Sequence, residues 1–405
     1  MEKTICELFA GVGGFRLGFD RLETGWKTVW FSQWEPGAKT QWALDCYLQH
    51  FGDCPDINGE FHTGEDICVV DKGKIPDHTL LVGGFPCQDY SVAHTLASSH
   101  GIEGKKGVLW WQIRDTVIAK EPPFCLLENV DRLLRSPATQ RGRDFGVMLA
   151  CFADAGYSVE WRVVNAAQYG AAQRRRRTFI FAYRNDTVYG KETGKSSAHE
   201  VIESEGLMAK AFPINAMGSV NEMTISSDIV DVSDHFTFAF ENAGYMHEGR
   251  VYTARITEAE EPATLLSEIL QKNVEEKYYI PNDKMAKWVY LKGAKKIPRK
   301  ASNGHEYIFS EGPIAFPDPG DRPSRTMLTS ESTLNRSTHV VCDPGTLRLR
   351  LLTPVEAERL QGFDDGWTDT GMPERMRYFC MGNALVVPMI TRMGKVLDEI
   401  IKKET

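Results

Sequence analysis

Thr4-Ile5-Cys6-Glu7-Leu8-Phe9-Ala10-Gly11-Val12-Gly13-Gly14 decides the fold. Its first six residues read as a short buried strand. The glycines that follow form a turn leading into a helical pattern through Leu17 and Leu22. Strand, glycine turn and helix open a βα unit, in which the turn lets backbone pass close to a ligand at the strand's carboxyl end. The glycine spacing is not Gly-x-Gly-x-x-Gly, which disfavours a nicotinamide or flavin cofactor.

The same alternation continues outward from this stretch. Val29 to Ser32 reads as a second strand, followed by Trp34-Glu35, whose carboxylate suits ribose hydroxyls. Thr79 to Val82 and Phe124 to Leu127 are further apolar strands, ending in Gly83-Gly84-Phe85-Pro86 and Glu128-Asn129-Val130. Tyr157 to Val164 and Thr178 to Tyr183 flank a polar connection. This pattern predicts an α/β fold with a mostly parallel sheet. From about 185 the sequence breaks into Gly-, Ser- and Asp-rich pieces without a clear period. Order returns near 345, where Thr353 is placed to cap a helix opening at Pro354.

The 405 residues are 42% hydrophobic and 25% charged, which excludes a disordered chain, a fibre or a scaffold needing staples. No apolar run approaches the roughly 18 residues that span a bilayer, and the first residues lack a signal-peptide layout. A soluble, cytoplasmic enzyme or regulator is expected. Nine cysteines at irregular spacing, none in Cys-x-x-Cys, argue against disulfides and structural zinc, so no metal is expected. The net charge of −8 is unevenly spread: residues 186–280 hold 17 acidic against 7 basic side chains, leaving the remainder slightly basic. Two basic clusters lie in that remainder, Arg174 to Arg177 and Lys284 to Lys300. The second carries seven basic residues with Trp288 and Tyr290 among them. Such clusters neutralise phosphates even on an acidic protein.

Phe85-Pro86-Cys87-Gln88 is the sharpest chemical feature. Cys87 follows a buried strand at the same sheet edge as the glycine turn, where a thiol faces a cleft rather than the core. Glu128 brings a carboxyl group to that edge. A nucleophilic thiol beside a protonatable carboxyl suggests covalent catalysis with general-acid assistance. In extended geometry Arg175 and Arg177 share one face, from which they could orient that carboxyl or grip a carbonyl oxygen. Asp66-Ile67 suits an adenine, with Asp66 accepting from the amino group.

Phe-x-Gly-x-Gly-Gly, Pro-Cys-Gln, Glu-Asn-Val, Gln-x-Arg-x-Arg, Leu-Thr-Pro and Gly382-Asn383 stand in the order and spacing of the DNA cytosine-C5 methyltransferases, which this chain resembles over nearly its whole length. Ala384 stands where that family more often has Ser. The resemblance implies a Rossmann-like, S-adenosylmethionine-dependent methyltransferase domain at 1–184 and a smaller, irregular target-recognition domain at 185–345. Residues 346–405 would then form a hinge and a C-terminal segment packing back on the catalytic domain, with a last helix from Val387 to Lys402.

Catalysis would rest on Cys87, Glu128, Arg175 and Arg177, with Cys87 adding to C6 of a flipped-out cytosine. Phe9, Ala10, Gly11, Val12, Gly13, Glu35, Asp66, Ile67, Phe85, Leu109, Asn383 and Ala384 would hold S-adenosylmethionine, released as S-adenosylhomocysteine. Gln88, Ser91, Lys292, Thr326, Thr329 and Arg336 would contact double-stranded DNA, with Ser91 to Lys106 as a closing loop. A monomeric, stand-alone bacterial or phage enzyme is expected, with a cognate restriction endonuclease as its cellular partner. Two other readings stay open: a tRNA cytosine-5 methyltransferase, and a DNA-binding regulator that keeps the fold without catalysis.

Overall fold

The computed structural model describes residues 1–85, 109–226, 228–300 and 304–404. A nine-stranded sheet in the order β2-β1-β3-β4-β6-β5-β8-β9-β7 organises the first part of the chain. Its strands are β1 (Thr4–Leu8), β2 (Lys27–Ser32), β3 (Leu80–Gly84), β4 (Phe124–Val130), β5 (Tyr157–Asn165), β6 (Arg176–Arg184), β7 (Ile214–Thr224), β8 (Ala243–His247) and β9 (Arg250–Glu258). β2, β1, β3 and β4 run parallel, and every pairing beyond β4 is antiparallel. This is a Rossmann-like α/β fold. Its parallel strands read as unbroken apolar runs because both faces are covered. Trp30 and Phe31, successive residues of β2, accordingly join two different core clusters.

Helix α1 (Gly14–Asp20) starts directly after the glycine turn. Gly13 has φ +87°, and a Cβ there would lie 2.4 Å from the Phe51 ring. Both backbone conformation and packing therefore demand glycine at this point. Phe51 ends α2 (Trp42–Phe51). Helices α3 (Leu109–Lys120) and α4 (Arg143–Asp154) contribute Trp110 and Phe145 to the larger cluster, and Phe145 meets the Trp161 ring of β5 at 5.2 Å.

The sheet does not stop where the sequence loses its period. β7, β8 and β9 lie in the stretch expected to be irregular. They escaped notice because β7 is largely exposed and its pairing with β9 shifts register twice, between Ile214 and Ala216 and between Met217 and Val220. Bulges of this kind erase the period-two signature of a strand.

The chain forms two compact units. One is Met1–Tyr169 with Arg176–Glu261 and Leu385–Thr405, and the other is Gly170–Arg175 with Pro262–Ala384. The first unit includes the last long helix, Val387–Lys403. A Cβ on Gly18 would touch Ile390 at 2.6 Å, Thr391 Oγ1 donates to the Gly18 carbonyl at 2.8 Å, and Asp398 accepts from Trp26 Nε1 at 2.9 Å.

In the second unit, helix α5 (Asn282–Lys292) precedes a hairpin of β10 (Lys295–Lys300) and β11 (Glu306–Glu311). Helix α6 (Pro354–Gln361) begins as the sequence predicts. Thr353 Oγ1 accepts from the Glu356 amide while Glu356 Oε2 accepts from the Thr353 amide, a reciprocal cap. Helix α7 (Glu374–Asn383) follows. Among the described residues no helix is long and apolar enough to cross a membrane.

Candidate active site

Strand register decides which residues share an edge in the first unit. Leu8 pairs with Gly83, Gly84 with Glu128, and Val130 with Arg177. The glycine turn, the end of β3, the Glu128-Asn129-Val130 stretch and the first residues of β6 therefore converge at the carboxyl edge of the parallel strands, the usual binding edge of such a sheet.

Glu128 and Arg177 are directly joined, with Arg177 Nε 2.6 Å from Glu128 Oε1. Their side chains are only 12% and 18% exposed, and the second carboxylate oxygen lies over Gly84, where a Cβ would come within 3.2 Å of it. Asn129 is buried and donates from Nδ2 to the Phe85 carbonyl at 2.8 Å, while its own Oδ1 accepts from the Val130 amide. Phe85 is buried against the Trp110 ring, and Leu109 packs at the start of α3. Cys87, Gln88 and Ser91 lie outside the described residues.

The cofactor candidates group around the glycine turn. Gly11 donates its amide to Gln33 Oε1 at 2.6 Å, and Ala10 donates to the Ser32 carbonyl. Among the described residues nothing lies within 4 Å of where a Gly11 Cβ would stand, which leaves space beside the turn. Gln33 is buried, and its amide donates to the Thr63 carbonyl at 2.9 Å. The sequence reading missed this residue, and its place directly after β2 was the available signal. Glu35 is half-buried, and burial alone pushes its carboxyl above the ordinary value. A carboxylate so placed suits the hydroxyl donors of a ribose. Asp66 accepts from the Cys68 amide at 3.0 Å, and Ile67 is buried with its carbonyl held by Lys72. The open turn and the half-buried Glu35 carboxylate fit a nucleoside.

Glu7, inside β1, is fully buried. It accepts from the Tyr47 hydroxyl at 3.0 Å, and desolvation pushes its carboxyl up to about 8.

The arginine run splits between the two units. Exposure alternates as an extended run requires, with Arg174 and Arg176 outward, Arg175 buried and Arg177 half-buried. Arg175 belongs to the second unit and donates to the carbonyls of Met327 at 3.2 Å and Gly382 at 2.9 Å. The neighbouring Gln173, also unnoticed in sequence, accepts from the Met327 amide at 2.8 Å and is buried.

The DNA candidates of the second unit differ in what they leave free. Thr329 is exposed, and Thr326 is half-buried with its hydroxyl given to the Arg174 carbonyl at 2.6 Å. Lys292 is buried, its ammonium given to the carbonyls of Arg336 and Thr338, and burial pushes it down to about 8. Arg336 donates to the carbonyls of Leu291 and Gly293 at 3.0 and 3.1 Å. Both cations are spent on holding the loop before Val340, which does not favour them as phosphate contacts. Asn383 is exposed and Ala384 half-buried, both in the second unit.

Residues 3–399 match the family model for C-5 cytosine-specific DNA methylases. The chain is 50% identical over 402 residues to the type II methyltransferase M.Sau3AI of Staphylococcus aureus, covering 98% of this chain and 95% of that protein. It is 26% identical to the type II methyltransferase M.SsoII of Shigella sonnei, covering 96% of this chain and 79% of that one. Among solved structures, Spodoptera frugiperda DNMT2 superposes with a TM-score of 0.61 at 12% identity, covering 98% of this chain and 100% of the other. That last likeness is one of fold alone.

Proposed function

The chain belongs to the C-5 cytosine-specific DNA methylases, and from that membership we propose that it methylates C5 of a flipped-out cytosine in a specific duplex sequence through Cys87. S-adenosylmethionine supplies the methyl group as a sulfonium. Phe9 to Gly13, Glu35, Asp66, Ile67, Phe85, Leu109, Asn383 and Ala384 are the residues proposed to hold it. The C5 carbon of cytosine is a weak nucleophile. The Cys87 thiolate adds to C6 and makes the ring enamine-like, so that C5 takes the methyl group. Glu128 donates a proton at N3 as negative charge builds there, and Arg177 holds that carboxyl and the base carbonyl. A base then removes the C5 proton, the C5–C6 double bond re-forms and Cys87 leaves. Flipping costs a few kcal/mol and is required because the ring atoms are out of reach in a stacked duplex.

The observation that supports this reading most directly is the ion pair of Glu128 and Arg177 at the sheet edge from which the chain leads to Cys87. The second unit, with Thr326 and Thr329, is proposed to read the target, and Arg175 to brace it. We propose a cytoplasmic, monomeric enzyme beside a cognate restriction endonuclease; the similarity to type II methyltransferases supports the endonuclease partner.

Duplex DNA containing 5-fluorocytosine has no C5 proton to lose and traps the adduct. Incubation with S-adenosylmethionine should give a denaturant-stable complex with the native protein and none with Cys87→Ser. Transfer to tRNA alone would turn the reading to RNA. Tight duplex binding with no adduct at any site of a mixed-sequence library would make the protein a silent regulator.

A further inference from the structure

The turn after α2 gathers three metal-ligating side chains that the methyl-transfer reading does not use. Asp56, Glu60 and His62 each offer a ligand atom within 4.8 Å of the other two, with His62 Nε2 3.9 Å from Asp56 Oδ2 and 3.3 Å from Glu60 Oε2, and Asp56 and His62 line a cavity of about 130 Å³ beside Trp30 and Ile75. Asp56 carries the argument. Its side chain is 2% exposed, and Oδ1 is occupied by the amides of Asn58 at 2.7 Å and Glu60 at 2.9 Å. Oδ2 is buried with no hydrogen-bond partner and points into the cluster, 3.9 Å from His62 Nε2. A buried carboxylate oxygen left bare is costly unless something charged meets it.

The histidine is set up to present one nitrogen. His62 Nδ1 is 3.1 Å from Glu65 Oε1, the arrangement by which a carboxylate fixes the tautomer of a ligating imidazole and leaves the other nitrogen's lone pair for a metal. Nε2 is 3.3 Å from Glu60 Oε2. Ligands at about 2.0–2.1 Å in a tetrahedral zinc site stand roughly 3.3 Å apart, so only small side-chain rotations would close the set. One imidazole with two carboxylates suits a divalent ion that accepts mixed nitrogen and oxygen donors, zinc above magnesium or calcium. Lys74 Nζ lies 3.3 Å from Glu60 Oε2 and must swing aside on loading, which its 39% exposure permits.

We propose that Asp56, Glu60 and His62 form a zinc-class cation site, with Glu65 orienting the histidine, that staples the 56–65 segment. This reverses the expectation of no metal and stands independently of the methyl-transfer reading. The staple would bear on the cofactor turn, because the Thr63 carbonyl accepts from the Gln33 amide and Gln33 Oε1 accepts from the Gly11 amide.

The test is calorimetric titration of the full chain, stripped with chelator, with Zn²⁺ alone in a non-coordinating buffer. Exposed Cys68 and Cys342 would compete, so the titration uses a Cys68→Ser, Cys342→Ser background. Asp56→Asn keeps Oδ1 for the two amides while removing the anionic oxygen, and His62→Gln removes the nitrogen ligand. Circular dichroism confirms that each variant is folded. One equivalent should bind at micromolar affinity or tighter, weakened at least tenfold in each variant. No binding, or binding of equal affinity in both folded variants, would overturn the site.

Discussion

Arg177 Nε lies 2.6 Å from Glu128 Oε1, whereas Arg175, two residues earlier, turns its guanidinium to the carbonyls of Met327 and Gly382. One arginine of the run therefore pairs with a carboxylate and the other with backbone carbonyls. Glu128→Gln keeps the shape of the pair and removes its acidity. Turnover should fall about 10²- to 10⁴-fold, the usual worth of a positioned acid or charge-stabilising donor. Single-turnover methyl transfer measures this, and duplex affinity should hold within a few-fold.

Arg175→Ala and Arg177→Ala should separate cleanly. The first leaves two carbonyls without their charged donor in a buried site and should cost about 2–4 kcal/mol of stability. The second strips the partner from a carboxylate that is only 12% exposed, so it should also lower stability, by about 1–3 kcal/mol, while abolishing turnover. Turnover retained in a folded Arg177→Ala, or abolished in a folded Arg175→Ala, would contradict this division.

Gly382 lets α7 approach the backbone of the segment carrying Thr326 and Thr329. A Cβ there would stand 2.5 Å from the Thr329 amide nitrogen and 2.6 Å from the Leu328 carbonyl carbon. Backbone cannot rotate away as a side chain would, so Gly382→Ala should destabilise the second unit by about 1–3 kcal/mol and weaken duplex binding. Thermal unfolding and a fluorescence-anisotropy titration check both effects.

Lys292→Met should lower stability yet leave the salt dependence of DNA binding unchanged, since its ammonium is already spent on Arg336 and Thr338. Exposed Lys287 and Lys296 belong to the same basic cluster. If either meets a phosphate, its removal reduces the slope of log affinity against log salt by about one. A flattened slope in Lys292→Met instead would show that the lysine emerges to meet DNA.

Glu7 gives stability a pH signature. Its folded carboxyl keeps its proton up to about 8, against an ordinary value of 4.5, because burial disfavours the charge. The contribution is fully present below pH 4.5 and is lost as pH rises through 8. Glu7→Gln should remove this slope, giving a variant more stable relative to the native protein at pH 9 than at pH 5 by an amount on the order of a few kcal/mol. Urea midpoints at the two values measure it, and a constant difference would mean that Glu7 is ionised throughout.

Local chemistry was legible in the residues themselves. The strand from Thr4, the turn that only glycine at 13 allows, the Thr353 cap and the approach of Glu128 to a sheet edge all follow from spacing and residue type within a few positions. The strands after 185 were not legible, because bulges and exposure strip β7 of its alternation. Nor were Gln33 and Gln173, whose amides matter through partners far along the chain. Tertiary structure alone decided which arginine reaches Glu128, where Lys292 spends its charge, and why Gly382 has no side chain. The physical reason is range. Periodicity and capping are settled by neighbours a turn away, but an ion pair, a buried donor or a backbone contact depends on strand register and helix packing that bring distant residues together, as Val130 opposite Arg177 does.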